Sequence, residues 1–174
     1  MDGFKNIKVG NYENPQHWNL DAEYLEPLRV KEYLDIMDNN QTNKREQILL
    51  DIQNDVLKGG LCVQDWTTFQ LENAYLSYCA GATLSCIVMC QATIESYMRD
   101  DEQLSNRNFY DIIETCSYNQ EMKKKLHELR KYRNKWTHIN EQDNAFLIDE
   151  KELEEMALFS YRLALEVFHY YPFI

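Results

Sequence analysis

Glycine and proline are scarce, with five and three residues in a chain of 174. Sandwiches and barrels need many such punctuators at their turns, so a turn-rich β architecture is disfavoured and a helical one favoured. Long apolar runs are missing as well. The most apolar stretch, 80–92, is interrupted by Gly81, Thr83, Ser85 and Gln91, short of the roughly 18 apolar residues that a membrane-spanning helix requires. It reads as a buried core helix. The opening MDGFKNIKVG has neither a basic n-region nor an apolar h-region, so no signal peptide is expected and the expected compartment is the cytoplasm. The five cysteines are an odd count and do not suit a disulfide scaffold. Cys79, Cys86 and Cys90 fall within the apolar region and read as small hydrophobes in a reducing environment. Cys86 and Cys90 are spaced to share a metal, but no His or further Cys lies at ligand spacing beside them, and neither a metal nor another cofactor is expected.

What is present is an ordinary globular composition. Apolar residues make up 44% and aromatics 13%, which excludes disorder in spite of a formal net charge of -11. Such a length holds one full domain, at ~150 residues, plus an extension. The charge is unevenly placed. Residues 121–138 carry seven basic side chains against Glu121 and Glu128, a local balance of +5 that leaves -16 on the rest of the chain. One basic helix in an acidic molecule supplies the local evidence that a polyanion-binding reading needs.

Periodicity divides the chain into helices. Residues 1–20 have no sustained period and read as an irregular arm. A helix is expected over 28–37 behind Pro27, closed by the polar loop DNNQTN. Asn43 and Glu46 form a capping-box-like start for a helix over 44–58, with Ile48, Ile52 and Val56 on one face and Gly59-Gly60 as its stop. The double glycine makes the expected division an N-terminal arm and helical extension, 1–65, and a helical bundle, 66–174. A long helical signal runs over 66–99, bent near Gly81, and its nearly all-round apolar centre makes it the bundle's central member. A short helix carries Phe109, Ile112 and Ile113. Ser117 and Gln120 cap a basic helix over about 119–138, and Asp149 with Glu152 opens a final helix stopped by Pro172. No strand pattern or repeat emerges. The expected class is all-α.

On the basic helix, Met122, Leu126, Leu129, Arg133 and Trp136 are spaced 4, 3, 4 and 3, a single stripe that faces other helices. Arg133 thus occupies a core slot, where a guanidinium loses hydration unless it meets a carboxylate or a cleft that admits an anion. Glu95, in line with Leu84 and Val88 on the central helix, is the expected carboxylate partner. A second stripe reads His127, Lys131, Asn134 and His138. His138 ends the helix, where an ordinary imidazole takes or gives a proton near neutral pH. Arg133 and His138 lie about 140° apart around a helix, so they meet one substrate only at a helix end or between two chains.

The element order and the segment LRKYRNKWTH resemble the HEPN family (higher eukaryotes and prokaryotes nucleotide-binding), whose signature is an Arg, often followed by a polar residue, and then a His after four to six residues. Arg133, Asn134 and His138 match it, and the resemblance covers roughly 70–172. It implies a HEPN-like up-and-down bundle of four to five helices that forms a homodimer, with paired Arg/His motifs cutting RNA without a metal. On that reading His138 is the general base or acid, Arg133 binds the phosphate, Asn134 orients either group or the ribose, and Lys131 and Lys135 hold flanking phosphates. The biological role implied is a toxin, phage-defence or stress effector. Some family toxins carry a Tyr two residues after the His as a modification site; here Asn140 stands there, which leaves control to an antitoxin or other regulatory protein. Two alternatives stay open: a non-catalytic module binding RNA, a nucleotide or a protein, and a subunit whose acidic surface mimics nucleic acid.

Overall fold

The computed structural model describes residues 39–58, 63–101, 107–137 and 149–170. The described residues form six helices and no strand: α1 (Asn39–Val56), α2 (Asp65–Cys79), α3 (Thr83–Asp101), α4 (Phe109–Thr115), α5 (Gln120–Thr137) and α6 (Glu150–Phe168). The chain divides into two compact units, Met1–Gln41 and Thr42–Ile174. The arm and the helix expected over 28–37 lie outside the described residues.

The long helical signal is two helices. The break comes at Gly81, with φ +81°. Ala82 N–H donates to Ser77 O at 2.8 Å and Gly81 N–H to Tyr78 O at 2.9 Å. These paired bonds satisfy the last carbonyls of α2 and reverse the chain. Residues 80–82 therefore form a turn rather than a bend, and α2 and α3 pack along each other as a hairpin. A left-handed residue at this position favours glycine, because a Cβ there crowds the following carbonyl. A Cβ on Gly81 would also lie 2.9 Å from Arg45 Nη1. Gly81→Ala is expected to destabilise the fold by about 1–2 kcal/mol, read as a lower urea midpoint with an unchanged m-value; an unshifted midpoint would contradict the assigned turn.

The predicted central role belongs to α3, which packs against α2, α4, α5 and α6. Its inward residues Cys86, Ile87, Cys90, Ile94 and Met98 are buried. Leu84, expected in the apolar centre, is 36% exposed in the first turn of α3. The Cys86 and Cys90 sulfurs are 3.9 Å apart. Burial, followed by the neighbouring Cys86, pushes the Cys90 thiol well up, so it is held as a thiol rather than a metal-ready thiolate.

Helix α1 starts at Asn39, within the stretch expected as a loop, so Asn43 and Glu46 lie inside it. Its inward face is Leu49 and Ile52, both buried, while Ile48 is exposed. Arg45 donates to Tyr78 O at 3.1 Å and pairs with Glu154 at 3.2 Å, and Gln53 donates to the Tyr161 hydroxyl at 2.6 Å. This helix is expected in an extension ending at residue 65; its Leu49 and Ile52 lie in one core cluster with residues of the helices that follow.

Helix α6 opens as expected. Asp149 accepts from Lys151 N–H and Glu152 N–H at 2.9 and 3.1 Å. Leu153, Ala157, Ala164 and Phe168 are buried along it, and Tyr161 is also sealed. No helix among the described residues is long and apolar enough to cross a membrane.

Candidate functional site

Basic helix α5 is anchored through one face and along both edges. The start of the helix is capped by Asn119, whose Oδ1 accepts from Met122 N–H at 2.9 Å; Ser117, the expected cap, lies too early. Met122, Leu126 and Leu129 are buried as the 4, 3 spacing requires. Lys125 pairs with Glu166 of α6 at 2.8 Å, and Lys123 donates to the Glu114 carbonyl at 2.7 Å.

Where the stripe reaches Arg133, the side chain is only half-buried. The expected pair with Glu95 does not form. Glu95 is held by Arg99, one turn further on the same helix, with Nη2 to Oε1 at 2.5 Å. An i, i+4 partner is preferred because it requires no reach across the bundle. Arg133 Nη1 instead donates to Asn134 Oδ1 at 3.2 Å. Its Nε is shielded from solvent and has no hydrogen-bond partner, and no carboxylate pairs with Arg133 among the described residues. A partly dehydrated guanidinium of this kind has no counterion among the described residues.

The expected flanking lysines differ. Lys135 Nζ lies 3.6 Å from Glu152 and 5.5 and 5.2 Å from the rings of Tyr132 and Trp136. It bridges the end of α5 to the start of α6, so its charge is already engaged. Burial pushes the Tyr132 phenol up against an opposing influence of the neighbouring Trp136, and Glu152 and Asp149 add to the rise. Lys131 is exposed and has no carboxylate partner among the described residues. Asn134 is half-buried beside Arg133. His138 lies outside the described residues, one position beyond the end of α5. Arg133, Asn134 and Lys131 are therefore together on the last turns of one helix, and Glu95 belongs elsewhere.

Sequence reasoning missed a second constellation on the same helix. His127 Nε2 lies 2.8 Å from Glu114 Oε1, and its ring centroid is 5.2 Å from that of Tyr110. Arg130 stands over the same tyrosine, 5.1 Å from the ring centroid. The stripe containing His127 and Lys131 was visible in the spacing. Its partners on α4 were not, because that short helix gives no sign of which side of α5 it covers.

Among the described residues, no group of three or more His, Cys, Asp or Glu side chains is placed to hold a metal ion. Comparisons with protein-family models, curated proteins and solved structures gave no match for this chain.

Proposed function

We propose that the protein is a metal-independent endoribonuclease of HEPN type, working as a homodimer in which Arg133, Asn134 and His138 of each copy line a shared RNA cleft. The observation that carries this reading is the half-buried Arg133 guanidinium, tied to Asn134 and without a carboxylate partner among the described residues. A structural arginine at a core position takes a carboxylate; one that binds phosphate leaves its donors for the ligand. The position near the end of α5, with Lys131 about one turn before Asn134 and without a carboxylate partner among the described residues, suits an extended polyanion.

The reaction needs little beyond these groups. The 2′-hydroxyl of the RNA attacks the adjacent phosphorus as His138 takes its proton. The new P–O bond forms as the bond to the 5′-oxygen breaks, and that oxygen leaves with a proton from a second acid, such as the symmetry-related His138. The products are a 2′,3′-cyclic phosphate and a 5′-hydroxyl. Arg133 stabilises the charge that builds on the phosphoryl oxygens, and Asn134 holds Arg133 or the ribose in place. The role proposed is a cytoplasmic toxin, phage-defence or stress effector under the control of a binding regulator.

Purified protein is expected to cleave total RNA in the presence of a chelator, with cyclic phosphate at the mapped ends, and to lose this activity on His138→Ala. Intact RNA with the wild-type dimer would overturn the nuclease reading. Retained RNA binding in that case would favour the non-catalytic module.

A further inference from the structure

Lys131 stands between two grooves of opposite character. On one side, α5 and α6 enclose a space of about 590 Å³ in which Glu128, Glu152 and Glu155 outnumber Lys131 and Lys135. On the other side, α4 and α5 enclose about 600 Å³, and here Lys123, Lys124, Arg130 and Lys131 outnumber Glu114 and Glu128. Only the second favours a polyanion.

Four observations make this second groove more than a solvated basic face. Lys124, Arg130 and Lys131 have no carboxylate partner among the described residues, although carboxylates are abundant in the chain. Arg130 Nε is shielded from solvent and has no hydrogen-bond partner among the described residues. Glu114, the carboxylate that α4 contributes, is hydrogen-bonded by His127 Nε2, while its backbone carbonyl is taken by Lys123. The acid is thus held by the groove's own wall and the other cations stay available. Tyr110, 48% exposed and flanked by Arg130, offers an aromatic surface at the same place.

The spacing suits a strand. Lys124 and Lys131 are seven residues apart, two turns of one face and about 10 Å along the axis. That reach covers more than one phosphate of a nucleic-acid chain. A row of cations beside an exposed aromatic is the arrangement that holds single strands, with phosphates on the cations and bases on the ring. We infer that the α4–α5 groove is a binding track for single-stranded RNA, which passes Lys124, then Tyr110 beside Arg130, then Lys131 on its way to Arg133. The track extends the RNA-directed reading of Arg133, but it is tested by binding alone.

The experiment is fluorescence anisotropy of the full chain with a labelled, short, single-stranded 2′-O-methyl oligoribonucleotide, which has no 2′ nucleophile and stays intact. Lys124→Gln together with Arg130→Gln is expected to weaken binding about tenfold near 0.1 M salt and to reduce the slope of log K against log salt by about 1.4, the value for two lost phosphate contacts on a single strand. Glu128→Gln is expected to tighten binding two- to threefold, roughly the effect of removing one repelling charge. A folding defect cannot produce that gain. Binding within twofold of wild type in both variants with an unchanged slope would overturn the track, as would poly-glutamate competing as well as RNA. If wild-type protein binds RNA through the groove but never cuts it, the nuclease proposal fails and the track stands. If it cuts RNA while these variants bind normally, the reverse holds.

Discussion

Replacing Arg133 with alanine is expected to lower RNA cleavage by about 10²–10³-fold, the loss typical of removing one preorganised donor to a developing oxyanion. The thermal midpoint should stay within a degree or two of wild type, about the shift expected from changes of a few tenths of a kcal/mol. The two outcomes belong together. A guanidinium that held the bundle together would have a carboxylate partner, and its removal would leave that carboxylate buried and unpaired at a cost of about 3–5 kcal/mol. Arg133 has no such partner among the described residues; its bond goes to the amide of Asn134. Arg133→Lys should recover only part of the activity, since an ammonium keeps the charge but loses the planar fork that matches two phosphoryl oxygens. The decisive measurement is kcat and KM on a short RNA beside a melting curve. A stable Arg133→Ala variant that cleaves at the wild-type rate would refute the assigned role, and a variant that melts early would recast Arg133 as structural.

Leu126→Ala is expected to carry the largest stability cost, about 3–5 kcal/mol, as for other fully buried leucines that leave a cavity when truncated. Leu126 is 0% exposed and lies between Met122 and Leu129 on the stripe that fixes α5 against α3 and α6. Domains of this kind are stable by about 5–15 kcal/mol, so the loss is a large share of the total. The opposite face of the same helix provides the contrast. Exposed Lys124 has no ion-pair partner among the described residues, and its truncation should change stability by less than about 0.5 kcal/mol. Urea unfolding of the two variants measures both numbers. A small shift for Leu126→Ala would mean that α5 is not held by its apolar stripe, and the site would lose its rigid support.

The helical class and the location of the basic helix were legible from the sequence because both depend on local properties. Scarce glycine and proline, an apolar centre and the 4, 3 spacing of Met122, Leu126 and Leu129 each act within a few residues. Asp149 read correctly as a cap for the same reason. Less legible were features with two local solutions. Residues 80–82 could bend or reverse a helix, and the left-handed Gly81 with its paired hydrogen bonds selects reversal. Asn43 with Glu46 imitates a helix start, yet α1 already runs through it from Asn39.

Pairings across the bundle were the least legible. The sequence presented Glu95 and Arg133 as two charged misfits in apolar stripes and so invited their union, but Arg99 lies one turn from Glu95 and reaches it first. The α4–α5 groove depends on Tyr110 and Glu114 meeting His127 and Arg130, contacts made by packing a seven-residue helix against the edge of α5. By itself, then, the order of residues determined an all-helical chain with one cationic helix and an Arg-Asn pair near its end. Only the tertiary structure decided which acids neutralise which bases, and hence which cations remain for an anion. The reason is one of range: helix periodicity is set by neighbours a turn apart, whereas the balance of charge in a cleft is set by side chains brought together from distant parts of the chain.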